Sequence, residues 1–267
     1  LAVALIGVAS GASAAGDYQT TFTVGGRLID MYRKLGDLHS LGTAIMIEGG
    51  IAIALGKYTI AQELLEESMA LARAAGDKYR IALTLNYMGD LARIERQIVQ
   101  AYSTYEESLS IMRELGAAHE IPATLHNLAY VCLYQGDLEQ AHALFYESLE
   151  AQRAMGNQAG VLEGLLGFAA LASTNGLAAE SARLYAAAVA NGRGGDSASL
   201  WALEKLEYEH YIGLARAKLS DTEFEAEQAK GRTLSMEQAI AYALNLPLGL
   251  PKPSQKGIKA PQELTER

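Results

Sequence analysis

The sequence predicts an all-α solenoid of helix pairs closed by a helical C-terminal cap. Three observations carry that expectation. First, residue types recur every forty positions, the mark of a repeat architecture. Glu67-Ser68, Glu107-Ser108 and Glu147-Ser148 stand in register, as do Arg33, Arg73, Arg113 and Arg153. Gly36, Gly76, Gly116 and Gly156 form a third column, and Gly16, Gly56, Gly136 and Gly176 a fourth in which Arg96 is the exception. Ala61, Ala101 and Ala141 also align, and no insertion is needed from residue 1 to 190. Second, each forty-residue row carries apolar residues at helical spacing twice over. Third, only Pro122 of the five prolines precedes residue 246, and it stands in a helix's first turn, where proline is tolerated.

The elements follow in order. The opening LAVALIGVASGASAAG is apolar enough for the tail of a signal peptide but lacks a basic start. Gly16-Asp17-Tyr18 lies forty residues before Gly56-Lys57-Tyr58, so residues 1–15 are expected to form the first helix of a first pair. A repeat cannot bury its apolar face alone, so an upstream continuation of the stack is expected. In IPATLHNLAYVCLYQG (residues 121–136), Leu125, Leu128, Ala129, Cys132 and Leu133 share one stripe. In LEQAHALFYESLEAQRAMG (138–156), Ala141, Leu144, Phe145, Ser148 and Leu149 do the same. Asp137 with Gln140, and Thr59 with Gln62, read as N-cap pairs. The glycine after each second helix reads as a left-handed C-cap. Ala52, Ala92, Cys132 and Ala172 share a column whose small side chains imply a helix–helix contact and a buried, inert thiol at Cys132.

Residues 1–192 therefore divide into about five helix pairs. NGRGGDS (191–197) reads as a linker, since it lacks the Gly-Lys-Ser/Thr ending that would hold phosphates. Residues 193–245 form the expected cap, with capping boxes at Ser220/Glu223 and Ser235/Gln238 marking its last two helix starts. Residues 246–267 hold Pro247, Pro251, Pro253 and Pro261 together with Lys252, Lys256 and Lys259, and read as an extended linker.

Composition excludes several function classes. A net charge of −9 disfavours direct nucleic-acid binding, which needs clustered Lys and Arg. One cysteine forbids an intramolecular disulfide and fits a reducing, cytoplasmic compartment. No apolar run is long enough to span a membrane. His119 and His126 lie seven apart with no Cys or acidic ligand at zinc-like spacing, and Glu66-Glu67 and Glu106-Glu107 read as solvated helix faces. No catalytic constellation emerges, and no metal or cofactor is expected.

The row LHNLAYVCLYQGDLEQAHALFYESLEAQRAMG resembles a tetratricopeptide repeat. The likeness rests on Leu128 and Ala129, Gly136-Asp137 at the turn, Ala141, Phe145, and Ser148 where that family prefers Ala. The row departs in its forty-residue period, in Leu125 at the Trp position and in lacking the closing Pro. The long repeat is similar to the sensor region of large bacterial LuxR-type regulators, of which the maltose-regulon activator is one. The phrase Phe224-x4-Ala229-x-Gly231-Arg232-x-Leu234-Ser235, followed by Tyr242-Ala243-Leu244, resembles the way such sensor regions close. Leu264-Thr265-Glu266-Arg267 resembles the opening of their helix-turn-helix domain, so the chain is expected to continue into one, and to bind no DNA without it.

The resemblance implies a right-handed superhelix whose first helices line a concave groove. Projecting groove positions onto this sequence singles out Asn86, Asp90, Arg93, His126, Tyr130 and Tyr134 as a recognition patch. Aromatic rings would supply area and the polar groups directed hydrogen bonds. The expected partner is a peptide, a protein or a small effector in that groove, alongside the other domains of the parent chain. The alternative is a free-standing scaffold for protein–protein interaction.

Overall fold

The computed structural model describes residues 2–192 and 202–251. The described residues form thirteen helices and no strand. Ten make five antiparallel pairs: α1 (Ala2–Ala14) with α2 (Tyr18–Leu35), α3 (Leu38–Ala54) with α4 (Tyr58–Ala75), α5 (Lys78–Ile94) with α6 (Ile98–Leu115), α7 (Ile121–Gln135) with α8 (Leu138–Ala154), and α9 (Gln158–Thr174) with α10 (Ala178–Asn191). Each helix packs on the next, so the pairs stack into a solenoid. Then come α11 (Ala202–Arg216), α12 (Asp221–Arg232) and α13 (Met236–Leu244).

The sequence columns become recurrent contacts. Ser68, Ser108 and Ser148 are buried, and their hydroxyls donate to the carbonyls of Gly42, Ala82 and Pro122 at 3.1, 2.7 and 2.7 Å. Each bond ties the second helix of a pair to the first over the same span of sequence. Arg33 and Arg113 reach Glu67 and Glu147 of the next pair's second helix on the outer surface. Ala52, Ala92, Cys132 and Ala172 are all buried where helices meet. Burial pushes the Cys132 thiol up to about 12, which leaves it protonated and unreactive.

Helix ends follow local chemistry. Asp17, Asp37, Asp77, Asp137 and Asn157 each accept from the backbone N–H three residues on, and so satisfy an orphan donor. Gly36, Gly76 and Gly116 close α2, α4 and α6 in the left-handed region. Arg96, the exception in the other glycine column, is held at φ 62°. The expected Thr59–Gln62 cap does not form. Helix α4 begins two residues earlier than that cap implies, at Tyr58, with Lys57 before it and no side-chain cap, and Gln62 bonds Glu66 instead. Forty-residue register overrides the local cap signal there: α2, one repeat earlier, also begins at its tyrosine, Tyr18.

Both capping boxes form as the sequence predicts, at Ser220 and Ser235. Helix α12 packs on α10 so closely that a Cβ at Gly231 would meet the Arg183 carbonyl. Phe224 is buried, and Arg183 pairs with Glu227 across the same contact. Helix α13 joins α9 and α10, with Ala239, Ile240 and Ala243 in the main core. Of NGRGGDS, residues 193–197 lie outside the described residues, as does 252–267, which includes Leu264-Thr265-Glu266-Arg267. No described helix is long and apolar enough to cross a membrane.

Candidate functional site

The first helices of the pairs line the inner face of the solenoid, and α11 lies against it, packed on α9 and α10 and touching α3. Its inward stripe is Glu207, Tyr208, Tyr211, Ile212 and Ala215. Between α11 and helices α3, α5, α7 and α9 remains an open cavity of about 370 Å³. Its walls include Met46, residues from Leu83 to Arg93 on α5, Met112 on α6, His119 and Glu120 before α7, residues from Ala123 to Tyr130 on α7, and Glu163 and Glu207.

Five of the six sequence-predicted residues line this cavity: Asn86, Asp90, Arg93, His126 and Tyr130. The helical period places them there, since α5 and α7 are neighbouring first helices with equivalent faces. Tyr134 lies one turn beyond, under α11, where its hydroxyl donates to Glu207 at 2.6 Å and Arg96 stacks over its ring at 4.4 Å. The patch is largely covered. Asp90, Arg93, His126 and Tyr130 are only 4, 3, 6 and 4% exposed. Tyr130 and Tyr134 stack on Tyr211, with centroids at 6.0 and 6.4 Å, so α11 covers part of the groove. The physical reason is the apolar inward face of α11, which buries its aromatic and aliphatic side chains where the solenoid offers a concave wall.

The floor of the cavity is a buried polar network. Tyr105 donates to Asp90 at 2.6 Å, and Asn127 bridges Asp90 and Arg93 at 3.1 and 3.2 Å. Arg93 stands 3.8 Å from Asp90 and 3.7 Å from Glu207, with Tyr130 5.1 Å beneath it. Burial alone would favour a neutral Arg93. The Tyr105 hydroxyl, Glu207 and Asp90 outweigh that and hold the guanidinium charged. Burial, reinforced by Arg93, pushes His126 down to about 3, so its imidazole is neutral. Burial, reinforced by Asp90, pushes Tyr87 up to about 12.

Among the residues that line the site and that the projection did not select are Tyr87, Asn127 and Glu207. Tyr87 and Asn127 directly follow Asn86 and His126, and a three-to-four-residue projection takes one stripe and skips its flank. Glu207 lies outside the repeats. Its signal was an acid on the same helical face as Tyr211, one turn away.

Residues 80–154 match the tetratricopeptide repeat family. No curated protein matches the sequence. Among solved structures, the fold is similar to BtubC (BKLC) from P. vanneervenii, at 16% identity, covering 92% of this chain and 98% of that one with a TM-score of 0.57. It is also similar to the apo form of RapI, at 14% identity, covering 86% and 82% with a TM-score of 0.56. At those identities the likeness concerns the fold alone. The chain is an all-α solenoid of tetratricopeptide-like helix pairs, and its match to the repeat family falls on α5 to α8, the helices that build most of the cavity.

Proposed function

We propose that this chain is a non-catalytic binding segment that takes a peptide or protein segment, or a small effector, on its concave face. Tetratricopeptide repeats are scaffolds for protein–protein interaction, and the family match supports that coarse reading. The observation that carries the proposal is the cavity between α5, α7 and α11: apolar walls around a few convergent, buried polar groups are the ordinary makeup of a binding site. Selection of peptides against the full chain tests it. Selected peptides should lose binding when Leu83→Arg or Ala123→Arg fills the cavity mouth, with the helical circular dichroism unchanged. Peptides that bind both variants as well as the parent would place the interaction elsewhere and refute the reading.

We further propose that the segment is the sensor of a cytoplasmic LuxR-type transcription regulator, with residues 193–245 acting as its cap and 246–267 as a linker. The support is the phrase from Phe224 to Ser235, in which Phe224 is buried and Gly231 lets α12 approach α10. The gene downstream of codon 267 tests this: a helix-turn-helix reading frame is expected, and a stop or an unrelated domain overturns it.

A further inference from the structure

Helix α1 packs on α2 through Leu5, with Ala2 and Ala9 beside it. A second face of α1 is open: Val8 is 53% exposed, and Ala4, Gly7 and Gly11 are exposed with it. The same face is closed in later repeats. Glu48, Leu128 and Phe168, in register with Val8, are 3, 0 and 0% exposed, and Ile51, Leu91, Val131 and Leu171, in register with Gly11, are all buried. The second helix of the preceding pair closes it. Glu48 lies against Gly25 of α2. Thr84 and Thr124, in register with Ala4, meet Ser68 of α4 at 3.3 Å and Met112 of α6 at 3.4 Å. On α9, Gly164 and Gly167 lie under Leu149 and Phe145 of α8. Ala4 and Gly7 occupy those two glycine positions four repeats earlier. We propose that α1 is a docking face for a further helix pair of the same repeat type, whose second helix seats an aromatic ring over Gly7 and a leucine, one turn on, over Ala4. The face lies at the end of the stack, so the proposal is independent of the concave-face reading.

The occupant follows from continuing an existing interface by one step, since each repeat of a solenoid contacts its neighbours through the same surfaces. Ala2–Ala14 carries no charged residue, and a helix apolar on all sides belongs between neighbours. The small side chains of Ala4 and Gly7 leave a notch. Helix α8 shows what fills that notch in this stack: a ring and a branched aliphatic chain on a helix running antiparallel to the first. A second copy does not supply them. Leu65, Tyr105, Phe145 and Tyr185, at the ring position of α4, α6, α8 and α10, are 0, 0, 0 and 1% exposed within their own stack. Helix α1 holds no aromatic residue with which to fill its own notch across a twofold axis. Lipid fits less well, because an interfacial helix sets a strongly charged face against its apolar one.

The test uses the full chain and a fluorescent peptide with the sequence of residues 138–156. An isolated helix of this length is marginal in water, so Ala143→Lys joined to Glu147 by a lactam holds the peptide helical on the side away from Phe145 and Leu149. Fluorescence anisotropy should show saturable binding, weakened at least about tenfold by Phe145→Ala in the peptide. Gly7→Leu in the chain fills the notch at a position with open space around it. Gly7→Leu and Val8→Asp should each weaken binding by about the same factor with unchanged circular dichroism. Leu83→Arg, in the concave groove, should leave it unchanged. No saturation, equal binding of the Phe145→Ala peptide, or loss in Leu83→Arg with retention in Gly7→Leu overturns the proposal. A dimer of the chain in sedimentation equilibrium that Gly7→Leu dissociates overturns it too, and gives the face to a second copy. Pelleting with phosphatidylglycerol vesicles that Val8→Asp abolishes overturns it in favour of lipid.

Discussion

Gly89→Ala should destabilise the protein by about 2 kcal/mol, against the ordinary rule for helices. In a helix interior, Gly→Ala gains about 1 kcal/mol of propensity. A Cβ at position 89, however, would fall 2.5 Å from Cε1 and 2.7 Å from Cδ1 of Tyr105, roughly an ångström inside normal carbon contact. The ring has nowhere to go. Tyr105 is fully buried, and its hydroxyl is held by Asp90 at 2.6 Å. Overpacking costs about 1–3 kcal/mol, and drawing the hydroxyl off a charged acceptor costs about 1.5–3 kcal/mol more. Even the low ends together exceed the propensity gain. Gly26→Ala is the control: it sits inside α2 with nothing within 4 Å of its added Cβ, and should stabilise by about 0.5–1 kcal/mol. Urea titrations of the full chain, followed by circular dichroism, compare the two. Solenoids can unfold in stages, so the shape of each curve is compared as well as its midpoint. If Gly89→Ala raises the midpoint as Gly26→Ala does, the α5–α6 contact beneath the cavity is not as described.

Three further outcomes are expected. Gly136→Ala, at φ 79° with open space around it, should cost about 1 kcal/mol, whereas Arg96→Ala in the same column changes no backbone preference and should lose only about 0.5 kcal/mol of stacking on Tyr134; equal losses in urea midpoints would contradict this. Ser108→Ala and Ser148→Ala should each cost about 1 kcal/mol, because their hydroxyls make the same bond at the same 2.7 Å; one neutral and one costly substitution would break the equivalence of the repeats. Glu48 is buried beside Gly25, and burial pushes its carboxyl from 4.5 up to about 7, against the opposing pull of Lys57. The folded state thus prefers the protonated acid, so this contribution is fully present below about pH 4.5 and is lost as pH rises to about 7, by at most about 3 kcal/mol. Glu48→Gln should flatten that slope in pH-dependent urea midpoints, and an unchanged slope refutes the assignment.

The fold was legible because a repeat writes each contact several times. One serine at 108 says little, but serines at 68, 108 and 148 specify a contact, and glycines at 36, 76 and 116 specify where helices stop. Local signals fared worse alone. Thr59–Gln62 has the form of a cap, yet the register of α4 places Thr59 inside the helix. The candidate site was legible in part, because Asn86, Asp90, Arg93, His126 and Tyr130 sit on repeat positions and inherit their direction from the repeat. What was not legible comes from outside the period. Helix α11 has no counterpart forty residues earlier, and nothing local distinguishes a helix that extends the stack from one that turns back into its groove.

That turn changes what the polar residues of the groove mean. A buried ion pair contributes little net stability, since desolvation offsets most of its attraction, but removing one member is costly. The network of Asp90, Arg93 and Glu207 is therefore a poor explanation for why α11 docks. The packing of Tyr211, Ile212 and Ala215 accounts for the affinity. The network instead fixes position: Glu207 meets both Tyr134 and Arg93 in only one register of α11, and a slip of one turn would leave a buried carboxylate and a guanidinium unpaired. Asn127, Asp90 and Glu207 hold the Arg93 guanidinium in place from different sides, with the Tyr130 ring beneath it. An Arg at this position is demanded by geometry as much as by charge, because a lysine ammonium has no second edge to present once the first is engaged.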